Sequence, residues 1–326
     1  MRKAALLYNQ RSGGGRVNRH PEVEAALAAL RGAGVDATLT VTVSSEDAGE
    51  QARRAIAGGC DTVIACGGDG TIHDVIQGVA GSQAALGVLP MGTANALAHD
   101  LGLPLNPVAA AKALLHAQPK RIALGRVELE SMAGGRIARY FTVAVGVGVD
   151  AHLFYKLNSA TKQRLGMAAY YAKAWQLWFT HRMQPFAVSS AAISDGAAAG
   201  ILATEMLAVR IRNFGGMLRE LAPGASLDRD DLRLLVCRTS SRLSYLSYVT
   251  GIFLGTHWQV RGVDLVHAPA VRCEYPAGWN AGGSKNGASA SGQKVYVEAD
   301  GELLGTLPAE ITMTPDALTM LVPRKS

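Results

Sequence analysis

The stretch Thr62-Val-Ile-Ala-Cys66, followed by Gly67-Gly-Asp-Gly-Thr71, decides the fold. Its first half is a short apolar run with β-branched residues, too short for a helix, and reads as a buried strand. Its second half brings glycines, which permit positive φ and let the backbone approach an anion because no Cβ intervenes. A helical pattern over 72–79 follows at once. A helix start offers unpaired N–H groups and the positive end of its dipole, which suits phosphate. Within the loop, Asp69 is placed to order Mg2+ or a substrate hydroxyl, and Thr71 to donate to a phosphate oxygen.

The same unit repeats on either side. Short runs rich in apolar or β-branched residues at 4–8, 36–43 and 85–89 read as further buried strands, and the patterns at 21–32, 46–57 and 107–116 read as helices. Ser44 with Asp47 three residues on gives the second helix a capped start. Strand and helix in alternation imply a parallel sheet covered on both faces. Two more strands end in phosphate-friendly loops, Asn9-Gln-Arg-Ser-Gly-Gly-Gly15 and Gly92-Thr-Ala-Asn95. Adjacent strand-end loops of an open parallel sheet line one crevice, so all three can reach one nucleotide. No loop follows the Walker pattern or the ordered dinucleotide fingerprint.

From about Arg121 onward the texture changes to period-two segments such as Arg126-Val-Glu-Leu-Glu, Tyr140-Phe-Thr-Val-Ala-Val, Leu232-Arg-Leu-Leu-Val and Lys294-Val-Tyr-Val-Glu. That period marks antiparallel strands with one buried face. The expectation is a three-layer α/β nucleotide-binding domain over 1–122, then a mostly antiparallel β-sandwich over 123–315, with a strand at 316–326 free to return to the first domain. An aromatic, basic helix is expected over 160–183, read either as core or as an interfacial lipid port. The pattern at 243–260 reads as an amphipathic or buried helix, and 282–292 as a small-residue loop.

Composition sets the outer limits. The 326 residues allow two domains at about 150 each. Apolar residues at 48% exclude a disordered chain, and the 37 glycines follow no three-residue period, which excludes collagen. Charged residues are only 18%, against roughly 25% in ordinary soluble domains. The net charge of +6 comes without a dense basic block, so nucleic acid is not an expected partner. Cys60, Cys66, Cys237 and Cys273 form no C-x-x-C pair, which suits reduced thiols in a cytoplasmic protein. No stretch has the length and apolarity of a spanning helix, so any membrane contact, as at the inner face, is expected to be peripheral.

Taken in order, Gly67-Gly-Asp-Gly-Thr71, Gly92-Thr-Ala-Asn95 and the late Asp300-Gly-Glu302 resemble the diacylglycerol kinase catalytic family, which includes bacterial lipid kinases and sphingosine kinases. The resemblance runs from the Asn9 loop to Thr319-Met-Leu-Val-Pro323. It implies an NAD kinase-like fold, ATP and Mg2+, and phosphoryl transfer to a primary lipid hydroxyl in the cleft between domains. It further implies that Asn9, Thr42, Gly67, Gly68, Asp69, Gly70, Thr71 and Thr93 hold ATP, with Asn95 opening the next helix beside them. Glu302 falls at the position of the family's general base, and Asp69 is the alternative base. A carboxylate is chemically apt there, because a lipid hydroxyl is a poor nucleophile until a base takes its proton.

The family's metal loop usually reads Asp-Asp-Gly or Asn-Asp-Gly, whereas this chain has Asp228-Arg229-Asp230-Asp231. Asp228 and Asp230 are the candidate Mg2+ ligands, and the alternative is that Arg229 fills the space with its own cation. Asp150 is a candidate for the acceptor site. His73 and His99 read as helix-surface or core residues. Asp300-Gly-Glu302, taken alone, reads as a hairpin turn. Two competing functions stay open: an NAD kinase-like phosphotransferase and a non-catalytic nucleotide sensor. A homodimer through an edge of the β-sandwich is also left open.

Overall fold

The computed structural model describes residues 1–10, 12, 19–42, 44–148, 183–193, 200–215, 220–254, 260–276 and 294–324. Gly13 to Gly15, Asp150, the loop at 282–292 and all but the last residue of the helix expected over 160–183 lie outside these residues.

The first domain is built on four parallel strands in the order β2-β1-β3-β4: β1 (Lys3–Asn9), β2 (Asp36–Thr42), β3 (Thr62–Gly67) and β4 (Ala85–Pro90). Every residue of β3 and β4 is buried. Such continuous burial needs cover on both faces. The cover comes from α1 (His20–Gly32), α2 (Ser45–Ala57), α3 (Asp69–Val79), α4 (Ala96–Leu101) and α5 (Pro107–Leu115). Right-handed crossovers from this strand order put α1 on one face and α2 with α3 on the other. Accordingly, α2 packs on α3 and α1 on α5. Ser44 Oγ accepts from Asp47 N at 3.3 Å, and Asn106 Oδ1 caps α5 by accepting from Ala109 N at 3.0 Å.

One boundary differs from the sequence reading in a way that matters. The helix after the glycine loop begins at Asp69, not at Ile72. Gly70 and Thr71 therefore sit inside its first turn, where N–H groups have no intrahelical partner.

The second domain is antiparallel. Its strands are β5 (Gln118–Ser131), β6 (Arg136–Phe141), β7 (Ala144–Gly148), β8 (Phe186–Ser189), β9 (Ile201–Ala203), β10 (Glu205–Val209), β11 (Leu232–Cys237), β12 (Val263–Ala268), β13 (Ala270–Glu274), β14 (Tyr296–Ala299) and β15 (Glu302–Val322). One layer runs β12-β11-β10-β7-β14-β15, while β5, β6, β8, β9 and β13 branch from β15 to form the other. Between them lies a second core that includes Val127, Phe141, Val147, Phe186, Leu234 and Val297. A sixth helix, α6 (Arg242–Phe253), occupies most of the stretch read at 243–260. It buries Tyr248, whose hydroxyl donates to Leu221 O at 2.8 Å.

Two long strands join the domains. β15 pairs with β5 along most of its length, and near its end it pairs in parallel with β4 through Thr319↔Ala85 and Met320↔Leu86. β5 itself runs unbroken through residues 122 and 123. Among the described residues, no helix is long and apolar enough to cross a membrane.

Candidate active site

β1, β3 and β4 point their C-terminal ends at one edge of the sheet, and their loops meet there. Asn9 Nδ2 donates to Thr71 Oγ1 at 3.0 Å, Ser12 Oγ lies 3.2 Å from the same oxygen, and Gly68 N donates to Ser12 Oγ at 3.4 Å. Ser12 was not singled out in the sequence, although it lies within the quoted Asn9 loop. The loops after β3 and β4 pack backbone against backbone. A Cβ on Gly68 would come within 3.0 Å of Gly92 Cα, and one on Gly92 would overlap Gly68 Cα. Glycine is required at both positions for the loops to touch.

The remaining nucleotide candidates divide. Thr93 stands exposed at the tip of its turn. Asn95, at φ 50°, spends both ends of its amide on Gly92: Oδ1 accepts from Gly92 N at 2.8 Å and Nδ2 donates to Gly92 O at 3.0 Å. Its side chain shapes the loop. Thr42 is buried at the end of β2, and its hydroxyl donates to Gln51 Oε1 of α2 at 2.9 Å. Asp69 Oδ1 accepts from Leu97 N at 3.4 Å and so ties the start of α3 to the start of α4. Burial raises the Asp69 pKa, the N–H groups of Ala96 and Leu97 oppose the rise, and the charge of Asp300 adds to it.

The second domain closes the cleft with the β14–β15 hairpin. Asp300 at φ 50° and Gly301 at φ 85° form its two-residue turn, the left-handed pair that a type I′ hairpin requires. Asp300 is also an anchor. Its Oδ1 accepts from Val143 N at 2.8 Å and Ala144 N at 3.1 Å, and its Oδ2 from Thr142 N at 3.0 Å. These bonds explain why the single strand expected from Tyr140 to Val145 is broken into β6 and β7. The N–H groups of Thr142 and Val143 serve a carboxylate instead of a neighbouring strand.

Asp300 reaches α3 as well, with Oδ2 3.5 Å from His73 Nδ1. His73 is buried, and its Nε2 has no hydrogen-bond partner among the described residues. Burial pulls the His73 pKa down, but the Asp300 hydrogen bond and charge, with Asp74 and Glu302, outweigh it and leave the pKa raised. One turn further along, the Gln77 amide grips the edge of β6: Nε2 donates to Tyr140 O at 2.9 Å and Oε1 accepts from Tyr140 N at 3.0 Å. The helix that starts in the glycine loop is thus stitched to the domain that carries the hairpin.

Glu302 follows that turn directly. Its carboxylate rests against the glycine loop, where a Cβ on Gly70 would overlap Oε1. The residue is open to solvent, yet protein surrounds the carboxyl closely enough that desolvation raises its pKa, with His73 pulling the other way. Glu302 borders a cavity of about 520 Å³ that is also lined by His73, Asp74, Gln77, Arg139 and Tyr140. Burial, reinforced by the charge of Glu302 and opposed by His73 and Arg139, pushes the Asp74 carboxyl up to about 7. Asp74 and Gln77 were missed in the sequence. The signal was available, because residues 70, 73, 74 and 77 share one face of a helix.

The loop at 228–231 does not suit a hard cation. Mg2+ takes oxygen ligands in near-octahedral geometry, and no group of three His, Cys, Asp or Glu residues among those described is arranged to hold a metal. Asp228 is exposed and paired with Lys120, and Asp230 is exposed. Arg229 lies on the surface with its fork on Asp231, Nε to Oδ1 at 2.7 Å, so it does not fill the space under the loop.

A glycine-lined cleft in an α/β domain, faced by a carboxylate from a β-sandwich, is the arrangement of an NAD kinase-like fold. The family comparison makes this specific: residues 3–127 match the diacylglycerol kinase catalytic domain, and residues 143–322 match the YegS C-terminal NAD kinase beta sandwich-like domain. The chain belongs to the diacylglycerol kinase family. It is 30% identical to a diacylglycerol kinase of Mycobacterium tuberculosis over 99% of this chain and 96% of the relative. It is 26% identical to one of Bacillus subtilis over 100% and 98%. A solved diacylglycerol kinase structure from Bacillus anthracis superposes with a TM-score of 0.72 at 20% identity, covering 98% of this chain and 96% of that one. Yeast NADH kinase shares the fold at a TM-score of 0.51 and 10% identity, over 99% and 84%.

Proposed function

We propose that this chain is an ATP-dependent lipid kinase in which Glu302 takes the proton from a primary hydroxyl of a lipid such as diacylglycerol or a sphingoid base. The observation that carries this reading is the contact of Glu302 with Gly70, which sets a carboxylate of the second domain against the phosphate loop of the first. The N–H groups of the first turn of α3, with Asn9, Ser12 and Thr71, bind phosphate oxygens from the other side. Gly67, Gly68, Gly70 and Thr93 complete that cradle.

Glu302 accepts the hydroxyl proton as the oxygen bonds to the γ-phosphorus and the bond to the β–γ bridging oxygen breaks, releasing ADP. Mg2+ arrives as part of the nucleotide substrate and neutralises charge on the transferring group. A pKa above the ordinary glutamate range makes Glu302 a better proton acceptor, because proton affinity rises with pKa. Asp69 has its carboxylate on α4 and acts in this account by ordering the nucleotide side of the cleft. The acceptor headgroup enters the cavity beside Asp74 and Arg139 from a membrane surface.

The test is transfer from radiolabelled ATP to a panel of diacylglycerol, sphingosine, ceramide, phosphatidylglycerol and NAD. Labelled lipid is the expected product. Label on NAD alone would replace this reading with an NAD kinase, and ATP binding without transfer would replace it with a nucleotide sensor.

A further inference from the structure

Arg210, the residue after β10, is fully buried. Its guanidinium lies under the loop at 226–231 and donates from Nη1 to the carbonyl oxygens of Arg229 at 2.6 Å, Asp231 at 2.8 Å and Ser226 at 3.5 Å. Nη2 donates to Ala123 O of β5 at 3.0 Å. Four backbone carbonyls thus converge on one internal cation. Asp230, Asp231 and Asp100 add negative potential that keeps it charged: burial lowers its pKa to about 10, still well above neutrality.

From this geometry we propose that Arg210 is the cation of the 226–231 loop, standing where a divalent metal ion would otherwise organise it, so that the second domain folds without a structural metal. A buried guanidinium and a loop that curls its carbonyls inward each explain the other. Ser226 O also accepts from Arg229 N at 3.2 Å, but the inward carbonyls of Arg229 and Asp231 would lose the guanidinium donor without the cation, and a buried cation without them would be costly. A divalent ion would have to compete for the same oxygens beside a fixed positive charge. The acids that would help it are engaged elsewhere or exposed, Asp228 on Lys120 and Asp231 on Arg229. The anchor also serves the cleft. The two residues after Ile211 dock on the nucleotide domain, with Asp100 Oδ1 of α4 accepting from Arg212 N at 2.8 Å and Asn213 N at 2.9 Å. None of this depends on which acceptor the enzyme uses.

The test is the thermal unfolding midpoint of the full chain, without nucleotide, in EDTA and then in excess MgCl2 or MnCl2. The midpoint is expected to stay within about 1 °C, whereas a native-state ion saturated about 100-fold would raise it by roughly 5–10 °C. A rise of that size that disappears in Asp228→Asn or Asp230→Asn overturns the proposal. A rise retained in both variants belongs to another site and leaves the loop to Arg210. Arg210→Met should lower the midpoint by roughly 5 °C or more, and an unchanged midpoint would also overturn the proposal. If that variant does not fold, the wild-type melts decide the matter alone.

Discussion

Asp300 and Arg210 are both buried, at 7% and 0% exposure, and each is met by backbone groups of the opposite polarity. The anion collects the N–H groups of Thr142, Val143 and Ala144, and the cation collects the carbonyls of Ser226, Arg229, Asp231 and Ala123. The difference lies in what surrounds them. Around Arg210 the direct partners are backbone carbonyls, which do not titrate, while Asp100, Asp230 and Asp231 lend it negative potential from farther out. Around Asp300 stand His73, Asp74 and Glu302, all with raised pKa values, beside a cavity large enough for a headgroup. Buried charge fixes geometry at both places, and at the second one titratable group, Glu302, also faces the glycine loop.

Substitutions should separate the two junctions. The larger effect is expected from Asp300→Asn, which points an amide NH2 at backbone donors and removes the charge that His73 faces. Urea unfolding should show a loss of about 2–4 kcal/mol, from unsatisfied donors and lost charged hydrogen bonds, with turnover down by about tenfold or more. Wild-type values for both quantities would show that the hairpin needs no anchor.

A smaller effect is expected at Asp74. Its folded pKa of about 7 lies above its ordinary value of 3.8, so the folded state holds more protons than the unfolded state between those limits. Stability attributable to this group therefore falls as pH rises from about 4 to about 7. Asp74→Asn should flatten that slope and gain about 1–2 kcal/mol at pH 8, after allowance for solvent screening. Parallel stability–pH curves for the variant and the wild type would remove Asp74 from the coupled set.

The first domain was legible because β1, β3 and β4 are buried, announce themselves as apolar runs and end in glycine loops; β2, read as buried, is instead an exposed edge strand visible only by its β-branched residues. The start of α3 was misread by three residues, since Gly70 argues against helix locally while its contact with Glu302, made by a residue 232 positions away, keeps it glycine. The break between β6 and β7 was invisible for the same reason, because its cause is Asp300. Motif order is what points to Glu302 and Asp69. It does not reach Asp74, Gln77 and Arg210, because no local pattern distinguishes a helix residue at a domain junction from one in solvent, or a buried arginine from a surface one. Asn95 reads from the sequence as a nucleotide neighbour, and its amide is bonded within its own turn.

In the proposed mechanism a carboxylate from the sandwich hairpin activates the acceptor against the glycine loop. The most direct measurement of that step is the turnover of Glu302→Gln beside wild type, with ATP affinity measured on both proteins. The amide keeps the shape but is not a base, so turnover should fall by about 10² to 10⁴ while ATP affinity stays within about twofold. Near-normal turnover in Glu302→Gln would contradict the account and return the role of base to Asp69.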